Sequence, residues 1–244
     1  MELIVLGSSS AGNGYLLRSS SGESLLLETG ISYKEFLGAS DAGTNIVTAL
    51  ISHSHKDHSG KAWEYLAHGI VCRAPQLTNQ ELKIIHHNLC PVFPKTKYVA
   101  EQFTFMPFEL VHDVQCYGYL INHPESGQIA FITDTLFCPY DFPSLRHLII
   151  EANYSEAILE SRIISGKTSL KVRDRVVTSH MSLETVIKYL KDHDFRSLRT
   201  ITLIHLSDGN SDEISFCNQI RDLTGKAVYA ANKGMKINLN SLPF

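Results

Sequence analysis

The run Ser52-His53-Ser54-His55-Lys56-Asp57-His58 sets three histidines and an aspartate within six residues, directly behind the apolar segment Val47–Ile51. A chain built this way buries a strand and then projects a cluster of metal-binding side chains from its end, so the strand becomes a rigid platform for a site. In extended backbone, residues two apart point to one side, which lets His53 and His55 present their imidazoles to one cation. Asp57 and His58 follow where the chain bends toward a helix, placed for a second, neighbouring ion, and Gly60 lets the loop turn tightly. Imidazole and carboxylate donors suit zinc, with manganese the alternative, and the lack of a nearby cysteine argues against a structural thiolate site.

Around this run the chain alternates short strands and helices. Leu3–Leu6, Tyr15–Leu17 and Leu25–Glu28 read as strands, the last two joined by a turn at Ser19–Glu23. Trp63–Ala67 and Gln76–His87 read as helices, the second starting after Pro75. Phe103–Val111, Tyr117–Ile121, Gln128–Thr133 and Leu148–Glu151 form a second strand group. Helical periodicity follows at Ser155–Ile164 and Leu183–Asp192, with Ser182 as the N-cap of the latter. Thr200–Leu206 is a strand, Glu213–Leu223 a helix, and Ala227–Tyr229 with Met235–Leu239 close the chain. Two strand groups, each followed by helices, predict two sheets packed face to face with helices outside, a four-layer αββα sandwich in one domain spanning residues 1–244.

Composition narrows the possible classes. The 244 residues are 43% apolar and 19% charged, ordinary for a globular domain. With 22 basic against 25 acidic residues the net charge is -3, so a polyanion must be held by a local basic stripe and not by the overall field. Such a stripe runs through Lys167, Lys171, Arg173 and Arg175, with Arg162 upstream. Five scattered cysteines without a Cys-x-x-Cys pair fit reduced thiols and a cytoplasmic location. No apolar stretch approaches the ~18 residues that span a bilayer, and the N-terminus reads as a first strand, not as a signal peptide. Among the remaining histidines, His68, His86, His87, His123, His147 and His193 have no ligand spacing and read as surface or packing residues.

The motif His53-x-His55-x-Asp57-His58 resembles the signature of the metallo-β-lactamase-fold hydrolases. Further segments match that superfamily in order: His112 after Phe108–Val111, Asp134 after Ile129–Thr133, and His205 after Ile201–Ile204. The resemblance implies two divalent metal ions. His53, His55, His112 and Asp134 would hold one, and Asp57, His58, Asp134 and His205 the other. Glu28, where the family usually has aspartate, would orient a ligand histidine from behind. Gly7–Tyr15, His112-Asp113, Gly118-Tyr119, Glu151-Ala152-Asn153, Ser179-His180-Met181-Ser182 and His205-Leu206-Ser207 resemble the YycJ (WalJ) branch, which is exonuclease-like and related to the tRNA-processing and β-CASP nucleases.

That resemblance implies a di-metal phosphodiesterase acting on nucleic acid through a metal-bridging hydroxide. Asp57 and His180 are its catalytic candidates, His180 standing about where the nucleases carry a histidine that acts on the scissile phosphate. The basic residues from Lys167 to Arg175 would contact phosphates. Two other readings keep the metals. One is hydrolysis of a small thioester or lactone, which needs no basic groove, and the other is a non-catalytic metal-binding module. An oxygen-reducing di-iron role fits less well, because His55 stands where those relatives carry a carboxylate.

Overall fold

The computed structural model describes residues 1–39 and 44–240. The chain opens with β1 (Glu2–Ser9), β2 (Gly12–Arg18) and β3 (Glu23–Leu27), followed by α1 (Tyr33–Ala39) and β4 (Asn45–Leu50). The histidine run lies on α2 (Lys56–Ser59) and the loop before it, with α3 (Ala62–Ala67), β5 (Cys72–Pro75), α4 (Gln76–Leu82) and β6 (Leu89–Val92) completing the first half. The second half contains β7 (Tyr98–Ala100), β8 (Phe103–Leu110), β9 (Cys116–His123), β10 (Gly127–Ile132) and β11 (Leu145–Glu151). Then come α5 (Glu156–Ile164), α6 (Leu170–Ser179), α7 (Leu183–Asp192), β12 (Thr200–Ile204), α8 (Glu213–Thr224), β13 (Ala227–Ala230) and β14 (Lys236–Asn238).

These strands form two seven-stranded sheets, ordered β14-β1-β2-β3-β4-β5-β6 and β13-β12-β11-β10-β9-β8-β7. Period-two alternation decides which side chain meets which layer. Leu3 and Val5 of β1 join Phe103, Phe105, Ile129 and Phe131 in the core between the sheets. Their neighbours Ile4 and Leu6 turn outward, onto Phe36 of α1 and Tyr65 and Leu66 of α3. In the other sheet Ala130, Ile132, Leu148 and Ile150 face outward onto Leu183 and Val186 of α7 and Phe216 and Ile220 of α8. Each fully buried side chain of this kind contributes about 1.5–3 kcal/mol. Three cores between four layers make the predicted αββα sandwich, and no helix among the described residues is long and apolar enough to cross a membrane.

The structure also differs from the sequence reading. The helix expected over Gln76–His87 stops at Leu82, where Lys83 turns left-handed (φ 54°). The strands expected to include Glu28 and Leu206 stop at Leu27 and Ile204, because Glu28 and His205 have φ of 65° and 54°. Periodicity did not reveal α1, the short strands β5 to β7, or α6, whose polar and charged residues hide its apolar face. The expected Ser182 cap is present, with its hydroxyl accepting from Thr185 N–H.

Strands β3 to β6 run parallel, as do β10 to β13. Their C-terminal ends gather at one edge of the sandwich, the usual place for a site in parallel sheets.

Candidate metal centre

Six strand ends supply the cluster: β3 leads into Glu28, β4 into His53, β8 into His112, β10 into Asp134, β11 ends on Glu151, and β12 leads into His205. The left-handed backbone at Glu28 and His205 costs a non-glycine residue about 1–3 kcal/mol and marks the turn out of each strand beside the cluster. The metal loop docks on the segment after Glu28, with Thr29 N–H donating to the His58 carbonyl at 2.7 Å and Lys61 N–H to the Thr29 carbonyl at 2.9 Å. Gly30 makes this approach possible, since a Cβ there would collide with the Asp57 carbonyl.

At the first position, two histidines each have Nδ1 against a neighbour and Nε2 turned toward the cluster. His112 Nδ1–H donates to the Ser179 carbonyl at 2.9 Å, so Nε2 is bare. His53 Nδ1 lies 2.8 Å from Ser52 Oγ, while its buried Nε2 has no hydrogen-bond partner among the described residues. His55 Nδ1 lies 3.3 Å from His112 Nε2, and Asp134 Oδ2 is 4.0 Å from both His53 Nε2 and His112 Nε2. Ligand atoms of His53, His55, His112 and Asp134 all fall within 4.8 Å of one another.

The second position gathers Asp57, His58 and His205 within the same limit. Asp57 Oδ2 lies 3.3 Å from His58 Nε2 and 3.4 Å from His205 Nε2. Asp134 Oδ1 approaches from the other side, 3.4 Å from His58 Nε2 and 3.1 Å from His205 Nδ1, so the two oxygens of Asp134 face the two positions. Behind them, Glu28 Oε1 is 3.4 Å from His58 Nδ1, and His205 Nδ1 lies 2.9 Å from Glu151 Oε1.

Charge divides the two positions. Burial holds His53 well below its ordinary value, reinforced by His58, and burial likewise lowers His112. Burial opposes charge on His58 and His205 too, but Asp134 with Glu28 lifts the first and Asp134 with Asp57 and Glu151 lifts the second, both well above the ordinary value. Asp57 and Asp134 stay ionised: burial works against them, and His205 and His58 hold both far below the usual carboxylate range. Four carboxylates thus converge on the imidazoles, and the buried His53 Nε2 and His205 Nε2 have no hydrogen-bond partner among the described residues. This donor set fits divalent cations, which would neutralise the buried negative charge and use the free nitrogens.

Glu151 received no role from its sequence, yet it organises the adjoining wall. Its Oε1 accepts from His180 Nδ1–H at 2.6 Å and from His205, and its Oε2 from the backbone N–H groups of Thr135 and Met181. Asp134, Glu151, His180 and His205 are also close enough to hold a cation. Glu151 already accepts four hydrogen bonds, which suits a supporting carboxylate better than a ligand. With burial opposing it, the Glu151 carboxylate raises His180 above its ordinary value. Asn13 is a second residue without an assigned role: buried on β2, it donates through Nδ2 to Asp57 Oδ2 at 3.2 Å. A signal for Glu151 was present, since like Glu28 it is an acidic residue directly behind an apolar run.

His180 and His205 line a cavity of about 210 Å³ with Ser9, Ser10, Asn153 and Arg175. Val172, Arg175 and Val176, three and four apart on α6, form its helical wall. Of the basic residues singled out in the sequence, Arg175 therefore faces the cluster. Arg173 Nε donates to Asp174 at 2.8 Å, and Lys167 and Lys171 are exposed and do not line the cavity. A larger cavity of about 640 Å³ opens at the opposite end, around Met1, Arg18 and Asn238, away from the clustered ligands. The Gly7–Gly14 segment is a β1–β2 hairpin with its turn at Ser10 and Ala11.

No known protein-family profile matches the sequence, and no curated protein matches it. Solved structures do. The metallo-β-lactamase fold protein YhfI from Bacillus subtilis superposes with a TM-score of 0.75 at 18% identity, covering 97% of this chain and 99% of that one. Zinc-bound PqqB from Methylobacterium extorquens gives 0.72 at 12% identity, with 98% and 100% covered. The short form of human tRNase Z gives 0.64 at 16%, with 98% and 99% covered. The chain has the metallo-β-lactamase fold, and its histidine and carboxylate cluster lies at the strand ends of that fold.

Proposed function

We propose that this chain is a metal-dependent phosphodiesterase, exonuclease-like and acting on nucleic acid in the cytoplasm. In this reading His53, His55, His112 and Asp134 hold one ion, and Asp57, His58, Asp134 and His205 the other. Zinc suits the donors, and one fold neighbour is zinc-bound. When bound, the two ions supply an acidified water and neutralise the negative charge that builds up on the attacked group.

The observation that carries the reading is the wall beside the cluster. His180 Nδ1–H is tied to Glu151, so the ring is fixed and its other nitrogen is left to give a proton to a leaving oxygen. Arg175 lines the same cavity and supplies positive charge for a phosphate that the net charge of -3 does not provide. A fold neighbour that is a tRNase by name adds support. A thioester leaves as a weakly basic thiolate that needs no proton donor, and neither an uncharged thioester nor an uncharged lactone needs the arginine.

The test is hydrolysis of DNA, RNA and bis(p-nitrophenyl) phosphate with zinc or manganese supplied, beside a thioester and a lactone. Cleavage of DNA or RNA, whose leaving group is a strongly basic alkoxide, that collapses in His180→Ala while metal content holds supports the reading. Thioester or lactone cleavage alone moves the function to the small-substrate class, and two bound ions with no hydrolysis of any substrate leave a metal-binding module.

A further inference from the structure

Four of the five imidazoles that converge on the two metal positions have their second nitrogen facing a neighbour: His53 faces Ser52, His112 the Ser179 carbonyl, His58 Glu28, and His205 Glu151. His55 is the fifth. It is also the most exposed, its side chain 38% accessible, so packing alone does not fix its ring. Its Nδ1 turns toward His112 Nε2, and its Nε2 lies 3.5 Å from Asp113 Oδ1.

We infer that Asp113 is the positioning residue for His55: its carboxylate keeps the proton on Nε2 and so delivers Nδ1 to the first metal position. This rests on the two-ion reading above. Asp113 Oδ1 is nearer to His112 Nε2, at 3.0 Å. That nitrogen carries no proton when His112 donates through Nδ1 to Ser179, so the contact joins two acceptors and holds nothing. His55 Nδ1 and His112 Nε2 lie 3.3 Å apart, as two bare nitrogens would when sharing a cation, so the proton of His55 falls to Nε2, 3.5 Å from the carboxylate. Asp113 is not among the groups whose ligand atoms fall within 4.8 Å of one another. A carboxylate behind a ligand imidazole fixes its tautomer and raises its basicity.

The test is zinc affinity at each of the two positions, by competition with a chromophoric chelator, in the wild type, Asp113→Asn and Asp113→Leu. Asp113→Leu is expected to weaken one position about 10- to 100-fold and leave the other unchanged. Asp113→Asn, whose amide oxygen still accepts from Nε2–H, retains most of the affinity. Nitrogen NMR of the zinc-loaded wild type should show His55 protonated on Nε2. Unchanged affinities in Asp113→Leu overturn the inference. So does a loss in Asp113→Asn as large as in Asp113→Leu, which makes the carboxylate itself a ligand. Asp113 is 56% exposed, so the metal-free variants should melt like the metal-free wild type, which separates positioning from a folding defect. Fewer than two ions on the wild type would instead remove the two-ion reading.

Discussion

Strand β11 carries a buried histidine toward one end and a buried glutamate at the other, and the two ends behave differently. His147 is 1% exposed, its Nδ1 lies 2.8 Å from Thr200 Oγ1, and its Nε2 has no hydrogen-bond partner among the described residues. Burial, aided by Arg199 and Arg146, pushes it down to about 4. At the far end His58 and His205 are 0% and 4% exposed, just as deep, yet their carboxylate neighbours lift them well above the ordinary value. Burial is common to both ends, so it does not define a site. The converging carboxylates do, and they account for why one end suits cations while the other is packing.

Substitutions at both ends sharpen this contrast, and Asp134 should give the largest effect. Asp134→Asn removes the charge facing both positions, so phosphodiesterase kcat/KM should fall by more than about 10⁴-fold and metal content should drop below two per chain, measured by elemental analysis. An Asp134→Asn protein that keeps both ions would break the claim that the carboxylate lies between them. His180→Ala should lower kcat on DNA or RNA, which lose an alkoxide, about 10²- to 10³-fold with both ions retained. Unchanged kcat would remove His180 from the mechanism.

Arg175→Ala should raise KM for a phosphodiester roughly 10- to 100-fold, the value of a charge-assisted hydrogen bond, and leave KM for an uncharged ester alone. An equal change on both substrates would mean that Arg175 supports the fold and does not read the phosphate.

His147→Gln should leave activity at neutral pH unchanged and act on acid stability. A histidine held near 4 in the fold and near 6.5 when unfolded is neutral in the native chain. The stability tied to its neutrality is fully present above the unfolded value and is lost as pH falls through the folded one, at up to about 1.4 kcal/mol per pH unit. Denaturant midpoints of His147→Gln between these two values should therefore fall less steeply than those of the wild type. Identical slopes would show that His147 is not what makes that end acid-sensitive.

The four layers were legible because Leu3–Leu6 and the middle of Gln128–Thr133 each face a core on both sides and so stand in the sequence as short continuous apolar runs. The clustered residues were legible for a related reason: His53, His112, Asp134 and His205 each follow a strand, and His55, Asp57 and His58 continue the run that His53 begins. Elements α1 and α6 were not: α1 is too short for a helical period to repeat, and in α6 charged residues interleave with the apolar ones. Glu151 escaped because a single acidic residue after Ile149 and Ile150 looks like an ordinary strand end. Its role depends on β12 and on the residue after α6, which only the fold brings to it. The basic stripe showed a cluster but not a direction, and helical periodicity in the folded chain turns Arg175 alone toward the cavity.

The central claim is that the carboxylate-rich end of the sandwich is a two-ion phosphodiesterase site. It is tested most directly by titrating metal-free protein with zinc or manganese while following hydrolysis of bis(p-nitrophenyl) phosphate. The account predicts activity that rises to a plateau at two equivalents per chain. A plateau at one equivalent, or no hydrolysis at any loading, would contradict it.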